Sequence, residues 1–285
     1  MASDVESYSK GALLSRSRVA LPSLRPSERR VLEWLIAHLG EVPSLSVVDV
    51  QRGTGAGAGT VIRTCQAVGF HGFHEFRIAA AREGRYDEPA EPDSLAGYQA
   101  LRTVERAASE SVRHVSATVP EADFDAAVAT LTAADRLLVF GAAMSGPIAA
   151  DAAYRFRMAG WFVDAPADES SARVAARQLT RHCACLLFSH TGATKVTLDV
   201  AAQARRAGAA VVGVVSQSNS ALSEIAPITL AVAGDDGGAL GIATGSRLAQ
   251  LVITHSLLTA AVTAKGPAAR AALDRAAEVT HESVL

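Results

Sequence analysis

The chain has 285 residues, of which 49% are apolar, and a formal net charge of −2. This length suits two domains, and the apolar content excludes a chain that is disordered throughout. The charge is uneven, because residues 1–86 carry 11 basic and 8 acidic side chains and the remainder carries 16 and 21. The resulting balances of +3 and −5 make the N-terminal part the candidate for a polyanionic partner.

Cysteine content and hydropathy favour a reducing, cytoplasmic location. Three cysteines, Cys65, Cys183 and Cys185, cannot build a disulfide framework. Cys183 and Cys185 lie in an apolar run without the spacing or partner ligands of a metal site, so they are interpreted as strand packing, and no metal or cofactor is predicted. No stretch of about 18 residues is free of charge and turn signals, which argues against a membrane partner or span. The polar residues 1–10 do not resemble a secretory signal.

Apolar spacing predicts several short helices in the N-terminal part. Residues 1–23 lack a clear period and are interpreted as an arm or a short extra helix. Residues 24–84 are predicted to form an all-α helix-turn-helix domain, whose third helix, at about 60–68, follows a glycine-rich turn. The predicted helices begin near Pro26, Ser46, Thr60 and Phe73.

The third predicted helix has two chemically different sides. The side expected to be apolar carries Val61, Ile62, Cys65 and Val68. The other side presents short polar residues and Arg63, as a helix that enters the DNA major groove requires. Arg63 could read guanine or clamp a phosphate, and a threonine could bond phosphate or contact a thymine methyl. The alternative is a plain helical bundle. The predicted DNA-binding residues are Thr60, Arg63, Thr64, Gln66 and His71.

The C-terminal part has the rhythm of an α/β fold. Residues 85–120 are predicted to be a linker and connecting helix, with a proline-containing hinge at 84–92. From Arg136, short β-rich runs alternate with helical segments, which predicts a three-layer fold with a doubly wound parallel sheet within residues 121–285. The predicted strands are 137–140, 161–163, 185–188, 210–215 and 228–232, and two further helices cover 244–264 and 268–280.

Hydroxyl residues follow three of the predicted strands. They lie in the runs 141–145, 189–194 and 216–220, each ahead of a helical segment. In a doubly wound sheet, ligands bind outside the carboxyl ends of the strands, where the strand order reverses. Helix dipoles and unpaired backbone N–H groups at such an edge favour an anion, above all phosphate. The sequence therefore predicts an anion site there.

Four segments of the N-terminal part resemble the RpiR family of bacterial regulators. They are residues 24–30 (LRPSERR), 44–46 (SLS), 60–63 (TVIR) and 69–77 (GFHGFHEFR). The resemblance implies a winged or extended helix-turn-helix that binds operator DNA as a dimer. Where the family usually has a valine and a capping serine, this chain has Ala56 and Gly57, which weakens the start of the recognition helix because glycine lowers helix propensity by about 1 kcal/mol.

Residues 137–264 resemble the sugar-isomerase (SIS) domain, which binds phosphosugars in enzymes and regulators. The resemblance implies a flavodoxin-like strand order and a phosphate cradle in 189–194, with two further serines near the sugar. Thr191 replaces the more usual serine, and Ala143 replaces a glycine of the first loop. The implied effector-binding residues are Ser145, Ser189, Thr191, Gly192, Thr194 and Ser216.

A catalytic role is not predicted. The SIS family commonly has a Glu and an Arg before the last long helix, and here residues 237–240 are Gly-Gly-Ala-Leu. An aldose–ketose isomerase needs a general base. Asp235 and Asp236 could substitute but are expected to be solvated, and His190 and His255 are expected to serve a capped loop and helix packing. We therefore expect a transcription regulator that binds double-stranded operator DNA and a phosphorylated sugar; the alternative is a phosphosugar isomerase with a helical extension.

Self-association is expected, as a homodimer or homotetramer. One recognition helix reads too few base pairs for useful specificity, so two copies are needed. The long apolar helix at 244–264 is a candidate interface, and burial within its own domain explains it equally well.

Overall fold

The protein is described from a computed structural model. The described residues are 12–83, 97–113, 115–218, 220–232 and 244–282. They form two compact units, with the main division after Thr118.

In the part of the N-terminal unit that the structure describes, the secondary structure is all helical, as predicted. Its first five helices are α1 (Ala12–Ala20), α2 (Pro26–Ala37), α3 (Val47–Thr54), α4 (Ala58–Ala67) and α5 (Phe73–Glu83). Of the two interpretations offered for the first 23 residues, the short helix is confirmed over α1. Apolar side chains from these helices meet in one core, in which Leu32, Leu35, Val61 and Phe76 are fully buried. Packing on this core, rather than propensity, stabilises such short helices.

Two more helices occupy part of the predicted linker. They are α6 (Tyr98–Arg113) and α7 (Val115–Thr118). The described part of residues 85–120 is therefore largely helical. The predicted hinge at 84–92 lies outside the described residues.

The second unit is a doubly wound α/β fold. Its strands are β1 (Arg136–Gly141), β2 (Phe162–Asp164), β3 (Cys183–Ser189), β4 (Ala210–Val215) and β5 (Ile228–Ala231). All pair in parallel in the order β2-β1-β3-β4-β5, which confirms the predicted flavodoxin-like order. Its helices are α8 (Glu121–Ala133), α9 (Gly146–Met158), α10 (Glu169–Arg177), α11 (Lys195–Arg206), α12 (Ala221–Ile225), α13 (Thr244–Lys265) and α14 (Pro267–Glu282).

Helices cover both faces of the sheet. Leu138 and Phe140 of β1 point into a core shared with α10 and α11. Leu137 and Val139 alternate with them and are also buried. Burial on both faces explains why the three central strands, β1, β3 and β4, are continuous apolar runs rather than alternating ones. Cys183 and Cys185 belong to this core, as the strand-packing interpretation expected.

Helix α13 has the length and apolar composition that a membrane crossing requires. However, its buried apolar residues recur along one face, at Ala249, Ile253, Leu257 and Ala261. This spacing is typical of a helix packed on a core. One face of α13 therefore packs within its own domain, while only 33% of the apolar stretch is buried, and the interface explanation for this helix stays a prediction.

Trp161 joins α8 and α9 to the start of β2. Its ring is buried and packs edge-on against Phe156 of α9, with 5.4 Å between ring centroids. Its Nε1 donates a 2.9 Å hydrogen bond to the carbonyl oxygen of Leu131 in α8. The indole therefore satisfies a buried carbonyl as well as filling space.

Replacing Trp161 with Phe should lower the free energy of unfolding of the second unit by about 1–3 kcal/mol, because the carbonyl of Leu131 loses its donor. Urea denaturation followed by far-UV circular dichroism measures this change. Phe162→Leu is the control, because Phe162 is 79% exposed and surface substitutions usually change stability by less than about 0.5 kcal/mol. Equal midpoints for the two variants would contradict the assigned role of the hydrogen bond.

Candidate functional site

A tight turn joins α3 to α4. Ser46 and Asp49 form a reciprocal cap at the start of α3, with the Asp49 carboxylate accepting from the Ser46 backbone N–H at 2.9 Å. Hydrogen bonds from the Ser46 hydroxyl and backbone lower the pKa of Asp49. The helix ends at Gly55, whose φ of +69° is a left-handed conformation that favours glycine. This turn fixes where α4 begins.

Helix α4 begins two residues earlier than the sequence predicted. The carbonyl of Gly57 accepts the N–H groups of Thr60 and Val61, so the helix starts at Ala58 although Gly57 provides no side-chain cap. Val61 and Cys65 are buried against the rest of the unit. Burial raises the pKa of the Cys65 thiol to about 12, so this cysteine packs as an apolar side chain.

Two residues of α4 lie on the opposite side from the one expected. Thr64 was predicted to contact DNA, but it is fully buried, and its hydroxyl donates to the carbonyl of Thr60 at 2.9 Å. That bond satisfies the hydroxyl inside the unit, so Thr64 is not presented to a ligand. Ile62 was expected on the apolar side and is 40% exposed. The predicted assignments of Thr64 and Ile62 are therefore wrong.

The exposed side of α4 presents Arg63 and Gln66. Arg63 Nε donates to Glu28 Oε1 on α2 at 3.2 Å, and Arg63 Nη2 donates to Thr60 Oγ1 at 3.1 Å. The Arg63 side chain remains 56% exposed. The structure thus brings Thr60, Arg63 and Gln66 to one helix and leaves the arginine accessible. Glu28 was not among the predicted site residues.

His71 lies just before α5 and is exposed. Its backbone N–H and its ring Nδ1 both face Glu75 Oε2, at 2.7 and 2.8 Å, and these bonds lower the pKa of Glu75. His74 instead faces Arg77. Within the described residues no group of three metal-ligating side chains occurs.

The backbone of the loop after β1 packs closely against the last residue of that strand. A Cβ atom added at Gly141 would lie 2.6 Å from the carbonyl oxygen of Ser145, so glycine is required there. Ala143 has a φ of +49° and is the only described non-glycine residue with a positive φ. The loop therefore keeps a glycine-like conformation although the glycine is absent. Ser145 is buried and directly precedes α9.

The loop after β3 is built around Gly192. Its N–H donates to Ser189 Oγ at 3.0 Å, and its φ of +64° places it where an added Cβ would overlap Ser220. Ser189 and Gly192 are both buried and shape the loop from inside. Thr191 and Thr194 are exposed, and Thr194 is the N-cap residue of α11. The accessible hydroxyls of this run are therefore those of the two threonines.

Gln250 of α13 forms hydrogen bonds with both the end of β3 and the loop after β4. Its Nε2 donates to the Ser189 carbonyl at 3.3 Å and to Ser216 Oγ at 3.2 Å. The Ser216 N–H also donates to the carbonyl of His190 at 2.9 Å. Gln250 is 1% exposed and was not predicted as a site residue. Its one sequence signal is a polar residue in an apolar helix.

The three predicted loops leave the same edge of the sheet. Gly141 pairs with Phe188 and Ser189 pairs with Val215, so β1, β3 and β4 end at matched positions. The strand order reverses between β1 and β3, because β1 connects to β2 on one side and β3 connects to β4 on the other. This reversal is the usual position of a ligand cleft in such sheets.

The candidate bases are placed differently from each other. His255 on α13 has its Nε2 3.3 Å from Asp151 Oδ2 on α9, where Asp151 also pairs with Arg155. This contact fits the helix-packing role expected of His255. His190 lies in the loop after β3, where its carbonyl accepts from Ser216. Asp235, Asp236 and residues 237–240 lie outside the described residues.

Comparisons with known proteins match both units. Residues 12–85 match the model described as a helix-turn-helix domain of the rpiR family, and residues 130–260 match that of the SIS domain. The HTH-type transcriptional regulator HexR of Escherichia coli (strain K12) is 27% identical over 282 residues, which cover 95% of each chain.

Two solved structures share the fold. The Vibrio vulnificus NanR protein complexed with ManNAc-6P is similar over 94% of this chain and 97% of its own, with a TM-score of 0.60 and 21% identity. The sugar isomerase domain of an RpiR transcription factor from Sphaerobacter thermophilus covers 63% of this chain and 99% of its own, with a TM-score of 0.57 and 18% identity.

Ala143→Gly should raise the free energy of unfolding by about 0.5–1 kcal/mol, because the left-handed backbone costs alanine more than the extra unfolded-state entropy of glycine. The midpoint of urea denaturation measures the change. Ala142→Gly is the matched control, since Ala142 has an extended backbone with φ −82° and should lose stability. Destabilisation by both substitutions would contradict the strained loop.

Proposed function

The chain belongs to the RpiR family of helix-turn-helix transcriptional regulators that carry a SIS domain, and on this premise we propose that α4 reads operator DNA and that the carboxyl edge of the sheet binds a phosphorylated sugar. The observation that carries the proposal is the joining, in one chain, of an exposed arginine-bearing helix to a parallel sheet with a hydroxyl-rich edge. Neither the helix nor the sheet edge alone points to a regulator whose DNA binding is controlled by a ligand, but their presence in one chain supports that function.

DNA binding by α4 is supported by its accessible side chains. Arg63 and Gln66 are exposed on the helix that follows the tight turn, which is the position of the recognition helix in helix-turn-helix proteins. Thr60 lies one turn before Thr64 and holds the Arg63 guanidinium. The exposed His71 is proposed as a contact to the DNA backbone.

Phosphosugar binding is supported by the geometry of the loops. The amino-terminal turn of α11 directs its first N–H groups towards the Thr191–Thr194 loop, where the helix dipole favours an anion. Ser145 and Ser216 lie at the ends of the neighbouring connections. The NanR relative was solved with ManNAc-6P, so a phosphorylated amino sugar belongs among the first compounds to test.

The effector is proposed to act without being turned over. The full-length relative is described as a regulator, and His255 is engaged with Asp151. The chain is proposed to act in the cytoplasm. It is also proposed to form a homodimer or homotetramer, because an effector can control DNA binding when it favours one of two arrangements of the paired recognition helices. An isomerisation assay on each compound that binds separates this proposal from the enzyme alternative, since measurable turnover would contradict it.

Arg63→Ala should weaken binding to duplexes selected from a random pool by about 1–3 kcal/mol per half-site. Fluorescence anisotropy of labelled duplexes measures the loss. Arg29→Ala is the matched control, because Arg29 also forms an exposed pair with a glutamate, Glu33, at 2.8 Å. If the Arg63 variant binds as tightly as the Arg29 variant, α4 does not read DNA.

A phosphorylated sugar that binds at the sheet edge should raise the melting temperature, with a stabilisation of about 2.7 kcal/mol at a concentration one hundred times Kd. With Thr191→Val, about ten times more ligand should be needed for the same rise in melting temperature, because a hydrogen bond to a charged phosphate is lost. The unphosphorylated sugars are the ligand controls.

Thr180→Val is the matched protein control for that experiment. Thr180 and Thr191 make the same kind of bond, each accepting from a backbone N–H two residues later, at 3.3 and 3.2 Å. Thr180 precedes β3, at the opposite edge of the sheet. Equal losses in the two variants would place the ligand elsewhere.

A further inference from the structure

The Arg63 side chain runs back along α4 towards its first turn. Its Nη2 donates to Thr60 Oγ1, three residues earlier. Its Nη1 lies over Gly59, where an added Cβ atom would be only 3.3 Å away. A side chain at 59 would displace the guanidinium by only a few tenths of an ångström, and the guanidinium lies beside the first turn, which is the part of a recognition helix that contacts base edges.

Glu28 holds the inner side of the same guanidinium from a different helix. Its Oε1 accepts from Arg63 Nε at 3.2 Å, and its Oε2 accepts from the Arg25 N–H at 3.4 Å as part of the α2 cap. The Glu28 side chain is only 13% exposed. Because two bonds and burial fix this carboxylate, the Arg63 Nε is held in a defined direction.

With Nε bonded to Glu28, the two terminal nitrogens of Arg63, Nη1 and Nη2, form a fork that a ligand can contact. Among the described residues, Nη1 has no hydrogen-bond partner, and Nη2 bonds only Thr60. Paired terminal N–H groups match the O6 and N7 acceptors of guanine in the major groove. The geometry therefore presents the terminal nitrogens of Arg63 as an end-on fork.

The charge of Glu28 distinguishes the two ligands that an arginine can take. A phosphate bound at the fork would bring a second negative charge close to the Glu28 carboxylate, whereas the acceptors of guanine are uncharged. Repulsion of the wrong ligand is an established route to specificity. Glu28 therefore disfavours a phosphate contact while it leaves a base contact intact.

We propose that Glu28 is a positioning residue that, with Thr60, commits Arg63 to a guanine base edge rather than to a phosphate. This inference rests on the proposed binding of DNA by α4. It identifies a determinant of base preference on α2, outside the helix that contacts the bases.

Selection of duplexes from a randomised pool by the full-length protein tests the inference. The parent should enrich sites with a fixed guanine in each half-site, and Arg63→Ala should lose the preference at that position alone. Glu28→Gln should reduce the guanine preference at least fivefold and bind random duplex more tightly. Glutamine can still form the α2 cap, and thermal unfolding shows whether each variant is folded.

The salt dependence of binding gives a second readout. If Glu28→Gln releases Arg63 to a phosphate, the slope of log K against log salt should steepen by about 0.9 for each half-site. Glu33→Gln makes the same charge change five residues along α2 and should alter neither the slope nor the selected sites. Arg63→Lys retains the charge without the fork, so it should retain affinity for random duplex and lose the guanine preference.

Three results would overturn the inference. Uniform weakening of all sequences by Arg63→Ala, with a shallower salt slope, would make Arg63 a phosphate contact. Identical behaviour of Glu28→Gln and Glu33→Gln would remove the positioning role. Failure of the parent to bind any duplex would instead refute the proposed function, and the inference with it.

Discussion

One buried amide, that of Gln250, ties together the ends of two neighbouring parallel strands. It donates to the carbonyl of the last residue of β3 and to the hydroxyl that follows β4, and the backbone bond from Ser216 to His190 reinforces the same junction. Separating the two loops would leave the Gln250 amide and its partners without hydrogen bonds. Buried polar groups without partners cost free energy, so the two loops stay together. The exposed Thr191 and Thr194 are held at the sheet edge by this network, and so is any ligand that they contact.

Most of the fold could be predicted because it depends on local rules. The five strands were predicted from short β-rich runs that alternate with helical segments, and the central three are apolar throughout because a parallel sheet is buried there on both faces. The start of α3 followed from Ser46, whose capping bond is a local one. The start of α4 did not follow, because packing of Val61 and Cys65 outweighs the poor propensity of the glycines ahead of it, and tertiary packing is invisible in a short window.

The sites were predictable in outline and not in detail. The loops at the sheet edge were predicted from their hydroxyls, but which hydroxyls point inward depends on the left-handed turn at Gly192. Thr64 was assigned to the exposed side from its polarity, although a hydroxyl that bonds a carbonyl of its own helix can be buried. Gln250 and Glu28 act on residues 34 to 61 positions away. Spacing along one helix cannot reveal partners that only the folded chain brings together.

The bond between Arg63 and Glu28 crosses 35 residues of sequence and joins two helices. On the proposed role of Glu28, base preference is shared between α4, which would contact the groove, and α2, which positions Arg63. Divergence of the supporting helix could shift the preferred site while every groove-facing residue stays the same. The residue at position 28 should therefore be considered together with those of α4 when the preferred site of such a regulator is compared with that of another.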